Sequence, residues 1–291
     1  MTGPLAPPAA VLRAAARARA LNGRPVVVKL GGSAMEEPAA TAAALEAVAA
    51  LHQLHVRLVL VHGGGKPIDR AMEAAGLTPT KVAGRRYTDD ATLKIVVETL
   101  HEINAELADK LAEFGTWPFA FSGDEPHPIA GDRLVLRDDA GHPIDLGRVG
   151  HVTKVDVDEL NDIIDNRQEL PVIPSLAVDP AGGWLNVNAD TVASAIGGAL
   201  GADAVYFLTD TPGVLRDVRE PGSLIGRLTA SECRQLIADG VIAGGMIPKA
   251  EACFEALAAG AGRAVILDGR DPHALLGEFV SDRASGTEIV P

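Results

Sequence analysis

The chain has 291 residues, 47% of them apolar, and a formal net charge of −13 at pH 7. That length can bury a sizeable core as one large domain or two lobes. The acidic balance argues against a surface built to neutralise nucleic-acid backbones or to sit on anionic lipid, which leaves small-molecule chemistry.

In chain order, residues 9–21 read as an N-terminal helix. Arg13, Arg17, Arg19 and Arg24 precede the first acid, Glu36, a composition shared with removable transit segments, but the stretch runs straight into a strand and is read as a helix of the fold. Residues 26–30 predict a fully buried strand, 38–53 a helix, 56–61 a second strand and 66–75 a second helix. Residues 89–114 predict a long helix capped by Thr88. The stretch 133–155, with short β segments between Asp-Ala-Gly and Gly-Arg-Val-Gly turns, predicts a hairpin excursion. Val172 and Ile173 mark a strand, 189–200 a helix, 204–208 a strand, 229–239 and 248–259 helices, and 264–267 a strand. Strands alternating with helices predict an α/β fold, a three-layer αβα sandwich on a mainly parallel sheet. The predicted units are a helix at 1–24, an N-terminal lobe at 25–202 and a C-terminal lobe at 203–291, hinged near residue 202. No apolar run approaches the roughly 20 residues that cross a bilayer, which predicts a cytoplasmic protein without a membrane partner. Cys233 and Cys253 have no metal-ligand spacing and read as buried thiols in a reducing compartment. The lone histidines His52, His101 and His127 give no ligand set either, so no protein-bound metal is expected.

Four glycine-bearing junctions fall where a strand ends or a helix begins: Lys29-Leu30-Gly31-Gly32-Ser33, His62-Gly63-Gly64-Gly65, Thr209-Asp210-Thr211-Pro212-Gly213 and Gly244-Gly245-Met246-Ile247-Pro248-Lys249. Glycine lets backbone N–H groups approach an anion, and helix N-termini add free donors. Taken singly, each junction is better explained by tight strand-to-helix packing. Two of them also present a lysine, and phosphoryl transfer needs positive charge on the oxygens of the moving group. Neither a P-loop nor a dinucleotide fingerprint is present. Asn186 and Asn188, in Asn186-Val187-Asn188-Ala189-Asp190, could grip a ligand or simply cap a helix. Arg86 could hold a carboxylate bidentately or stand solvated.

Together these segments, with Gly84-x-Arg86-x-Thr88-Asp89, resemble the N-acetylglutamate kinase family, a branch of the amino acid kinases, in order and spacing over nearly the whole chain. The resemblance implies ATP, with Mg2+ carried mainly on its phosphates, and a small-molecule acceptor, N-acetyl-L-glutamate, phosphorylated on its side-chain carboxylate in arginine biosynthesis. It assigns Lys29 and Lys249 to the transferring phosphoryl group and Asp190 to orienting both ammonium groups. Gly64, Gly65, Arg86, Asn186 and Asn188 would bind the acyl amino acid, and Gly31, Gly32, Asp210, Gly213 and Gly245 the nucleotide. The chain departs from the family at His101-Glu102-Ile103-Asn104-Ala105, where relatives read Gly-x-Val-Asn-Lys, and at Ser122-Gly123-Asp124-Glu125-Pro126, which lacks Gly-Lys-Asp. Both changes bear on the acyl substrate, so a kinase of another N-acylated acid such as N-acetylaminoadipate stays open, as does a non-catalytic regulator. The resemblance also implies a homo-oligomer, a dimer or a hexamer linked through the N-terminal helix. His273 and Glu278 match a feedback pocket for arginine, and Arg17, in place of an aromatic residue, implies that this feedback is weakened or absent.

Overall fold

A computed structural model describes residues 7–31, 34–123, 126–281 and 284–291. After helix α1 (Pro7–Ala20), strand β1 (Val26–Leu30), helix α2 (Pro38–Gln53), strand β2 (Leu58–His62) and helix α3 (Gly65–Ala74) follow in alternation. A two-strand hairpin, β3 (Lys81–Val82) and β4 (Arg85–Arg86), leads into the long α4 (Asp90–Glu113) and β5 (Pro118–Ala120). The predicted excursion is β6 (Ile129–Arg133), the small hairpin β7 (Leu136–Arg137) and β8 (Pro143–Ile144), and β9 (Gly150–Val155). Next come α5 (Val157–Asn161), which runs into a π-helical turn, then β10 (Leu170–Pro174), β11 (Leu176–Val178), β12 (Trp184–Asn186) and α6 (Ala189–Ala199). The chain closes with β13 (Ala204–Thr209), β14 (Arg227–Thr229), α7 (Ala230–Ala238), α8 (Met246–Ala259), β15 (Ala264–Asp268), α9 (Ala274–Val280) and β16 (Gly286–Val290).

Eight strands form one sheet in the order β14-β16-β15-β13-β1-β2-β10-β5, all pairs parallel except β15 with β16. Buried strands expose alternate residues to opposite faces, so their apolar runs feed two cores. Val27, Val59, Val205 and Ile266 pack under α6 and α8 on one face. Val28, Leu60, Tyr206 and Leu267 meet α2, α4 and α9 on the other. The three-layer sandwich follows from that alternation. Residues 26–174 supply β1, β2, β10 and β5, residues 204–290 supply β13 to β16, and the β1–β13 pair joins the two sides of the sheet at the centre. A second sheet, β12-β11-β6-β9, lies over the first of these sides.

Two local expectations change. Asp89 caps α4, accepting from Thr92 N at 2.8 Å. Thr88 is buried and donates its hydroxyl to the Arg86 carbonyl at 2.9 Å, because the chain turns one residue later than its pattern suggested. Helix α8 starts at Met246, ahead of Pro248, with Gly245 as its N-cap. Both cysteines are buried and unpaired, and burial pushes the Cys233 thiol up to about 11. No described helix is long and apolar enough to cross a membrane.

Candidate active site

Parallel strands leave their carboxyl ends open to loops and helix N-termini, where ligands of α/β proteins collect. Two clefts open there. One, of about 270 Å3, is lined by Lys29, Gly64, Gly65, Arg86, Asn186 and Asn188. The other, of about 320 Å3, is lined by Asp210, Gly213, Gly245 and Lys249 against the apolar side chains of Val214 and Met246. One lysine faces each cleft.

In β1, Lys29 shares the face of Val27, and its side chain emerges at the strand end only 12% exposed. Its Nζ lies 2.7 Å from Asp190 Oδ1. The contact is an ion pair without hydrogen-bond alignment, since that oxygen is buried and has no aligned donor. Asp190 stands in the first turn of α6, where the helix dipole favours an anion. Lys249 does not share this carboxylate. Its Nζ sits 3.2 Å from Asp210 Oδ1 and 3.3 Å from the Gly245 carbonyl. Asp210 is partly buried, which alone would raise its pKa, but the Lys249 hydrogen bond and charge outweigh burial and hold the carboxyl below its ordinary value. The structure therefore gives each ammonium its own acid, where the family resemblance gave Asp190 to both.

The glycines separate on geometry. A side chain at Gly65 would meet nothing within 4 Å, so backbone there stands open to a ligand. A Cβ at Gly64 would press on Leu100 and Ile68 at 2.9 and 3.1 Å. Gly31 lines neither cleft; its Cβ would lie 2.6 Å from the Leu208 carbonyl, so close packing of β1 on β13 already demands glycine. Gly32 lies outside the described residues. Gly213, at φ +129°, faces the Thr287 hydroxyl, whose oxygen accepts from Val214 N at 2.8 Å.

Arg86 donates to the Asp69 carboxylate and, at 2.9 Å, to the Gly65 carbonyl, so its guanidinium is already oriented at the cleft wall. Asn186 donates to the Thr88 hydroxyl at 3.0 Å. Asn188 caps α6, accepting from Asp190 N at 2.8 Å, the ordinary reading of its position, while still lining the cleft. Sequence reasoning missed Asp69, four residues beyond Gly65, and the apolar wall of the second cleft, which includes Val218. Arg17 donates to the Glu278 carbonyl, and both line a separate cavity of about 380 Å3 that His273 does not reach. Among the described residues, no cluster of three or more His, Cys, Asp or Glu could hold a metal ion.

A sequence profile described as the amino acid kinase family matches residues 24–268. An acetylglutamate kinase of Anaeromyxobacter dehalogenans is 39% identical over 268 residues, covering 91% of this chain and 98% of that one. One from Methanocaldococcus jannaschii is 39% identical over 272 residues, covering 92% and 90%. Among solved structures, N-acetylglutamate synthase from Neisseria gonorrhoeae, complexed with coenzyme A and N-acetyl-glutamate, is similar with a TM-score of 0.84 at 23% identity. That match covers 99% of this chain and 64% of the synthase. Carbamate kinase from Giardia lamblia bound to AMP-PNP gives 0.59 at 17% identity, covering 92% and 98%. Both structures speak for the fold.

Proposed function

The chain belongs to the amino acid kinase family, and from that membership we propose that it uses ATP to phosphorylate the side-chain carboxylate of N-acetyl-L-glutamate, a step of arginine biosynthesis. The observation that carries the reading is the pair of clefts with a lysine at each. The polar cleft offers Arg86 and Asn186 to a small dicarboxylate amide, and the cleft with apolar walls suits a purine.

In this mechanism a carboxylate oxygen of the acceptor attacks the γ-phosphorus, the bond from that phosphorus to the β–γ bridging oxygen breaks, and ADP leaves. The acceptor carboxylate carries no proton at neutral pH, so no general base is needed. Lys29 and Lys249 stabilise charge on the transferring oxygens, with Asp190 and Asp210 holding one ammonium each. Backbone N–H groups of Gly64 and Gly65 add donors at the open end of α3, and Arg86 and Asn186 orient the acceptor. Asn188 shapes the same wall as the cap of α6. Asp210, Gly213 and Gly245 border the nucleotide. Mg2+ would be carried on the nucleotide's phosphate oxygens, where it would offset their negative charge. Residues 25–202 form the lobe for the acyl amino acid and 203–291 the lobe for ATP, hinged near residue 202. The setting is the cytoplasm, and the working form is an oligomer of dimers joined through α1.

The test is ADP release coupled to hydroxylamine trapping of the acyl phosphate, run against a panel of N-acyl amino acids. Saturation by acetylglutamate is expected. Saturation by acetylaminoadipate alone would move the substrate, and absence of ADP release with every acceptor in the panel would leave a regulator.

A further inference from the structure

The glycine loop beside the acceptor cleft rests on buried groups with no part in the chemistry above. His62, the last residue of β2, is fully buried, its Nε2 3.0 Å from Asn104 Oδ1 and its Nδ1 3.1 Å from the Gly63 carbonyl. Asn104, in the middle of α4 and 1% exposed, donates its amide nitrogen to the Phe121 carbonyl at 2.9 Å. A backbone carbonyl only accepts, so Phe121 fixes which way the amide points and turns Oδ1 toward the ring. Since Oδ1 has no hydrogen to give, the network assigns the ring proton to Nε2. Burial pushes His62 down to about 4, outweighing the support that the Gly63 carbonyl and Asn104 would lend a charged ring, and His101 on the same helix as Asn104 also disfavours the charged ring. At neutral pH Nδ1 therefore carries no proton, and its 3.1 Å contact with the Gly63 carbonyl is close packing of the ring edge against that peptide rather than a hydrogen bond.

That contact falls on the Gly63–Gly64 peptide. The peptide is planar, so the direction of the Gly63 carbonyl also fixes the direction of the Gly64 N–H. The rest of the loop is fixed farther along, where the Gly64 carbonyl accepts from Ile68 N at 2.8 Å and the Gly65 carbonyl from Arg86 at 2.9 Å; Gly63 N reaches the Leu30 carbonyl only at 3.5 Å, while Leu100 and Ile103 of α4 wall Gly64 from behind.

We infer that Asn104 and His62 are positioning residues for phosphoryl transfer: the Asn104 amide holds the His62 ring in one tautomer and one plane, and the ring sets the orientation of the Gly63–Gly64 peptide lining the acceptor cleft. Neither side chain touches substrate. The signal in the sequence was an asparagine at the fifteenth position of a long helix, matching the asparagine of the relatives' Gly-x-Val-Asn-Lys.

The inference rests on the kinase reading, so wild-type chain is assayed beside the variants for acetylglutamate-dependent ADP release. Asn104→Leu keeps the volume and removes both hydrogen bonds; kcat is expected to fall about 10- to 100-fold with the KM for ATP within about threefold. Asn104→Asp keeps an acceptor toward Nε2 but as a carboxylate, which holds a proton on the ring to higher pH. Its kcat is expected to rise or fall through a single titration between about pH 5 and 8 that wild type lacks. If Asn104→Leu does not fold, Asn104→Asp carries the test. An inactive wild type overturns the kinase reading together with this inference. An active wild type whose folded variants show lowered thermal midpoints, unchanged kcat and an unchanged pH profile overturns the inference alone, leaving Asn104 as core packing.

Discussion

The Lys29–Asp190 pair allows catalysis and stability to be separated in one experiment. Lys29→Met removes the ammonium while keeping an unbranched apolar stem in β1. Loss of one charge-stabilising donor in a water-poor site costs about 2.7–4 kcal/mol of transition-state stabilisation, so kcat is expected to fall about 10²- to 10³-fold. The substitution also strands the Asp190 carboxylate, whose Oδ1 is buried and whose side chain is only 24% exposed. An unsatisfied acceptor of that kind costs about 1–3 kcal/mol, or roughly 2–4 °C of thermal midpoint for each kcal/mol in a chain near this size. Replacing both partners, as in Lys29→Met with Asp190→Leu, removes the stranded charge and should recover most of that midpoint. Activity should not recover. Calorimetry and coupled ADP release on the single and double variants check both halves. A double variant with restored turnover, or a single Lys29→Met variant within a few fold of wild type, would refute the assignment of Lys29 to the phosphoryl group.

Arg86→Ala should raise the acetylglutamate KM at least about tenfold more than the ATP KM, because a bidentate, charge-assisted contact is lost from one substrate alone; equal rises in steady-state assays would remove Arg86 from the acceptor site. Asp210→Asn should show the opposite preference, raising the ATP KM several-fold by releasing Lys249, which the same assays read. Because His62 takes up its proton near 4 in the folded chain and near 6.5 when unfolded, the unfolded state binds more protons between those values, and stability falls as pH falls through that window. From pH 7 to 5 the loss from this residue is about 2 kcal/mol, visible as a lower urea midpoint, and His62→Gln should flatten that part of the curve. Light scattering on the full chain and on one lacking residues 1–22 should give a larger assembly for the full chain; an identical dimer mass for both would show that α1 links nothing.

The central strands and the helices between them were legible because burial on both faces forces continuous apolar runs, and Val26–Leu30 and Pro38–Gln53 coincide with their predicted bounds. The strands β14 and β16 were not, since Arg227–Thr229 and Gly286–Val290 lie at one side of the sheet and alternate with polar residues. Thr287, inside β16, is what the tight turn at Gly213 packs against, so the physical reason for that glycine was invisible until a strand 73 residues away was in place. Site residues were legible as glycine-lysine spacing. Their pairings were not: whether Asp190 or Asp210 meets Lys249 depends on how α6 and α8 lie across the sheet, and no local pattern encodes that.

Helices α6 and α8 act as the arms of a pair of callipers. Each carries a reactive-end residue in its opening turns, Asp190 on one and Lys249 on the other, and the arms meet tightly where Gly198 abuts Ala259. A Cβ on Gly198 would come within 2.3 Å of the Ala259 Cβ, so even a methyl needs about 1 Å more room. Eight residues of helix separate that pivot from Asp190, a lever of about 12 Å, along which a tilt of about 5° displaces the carboxylate by about 1 Å. Displacements of that size can cost about a hundredfold in rate. The gap between the two cations is thus gauged at a contact far from either of them, and the smallest side chains in the chain set the calibration.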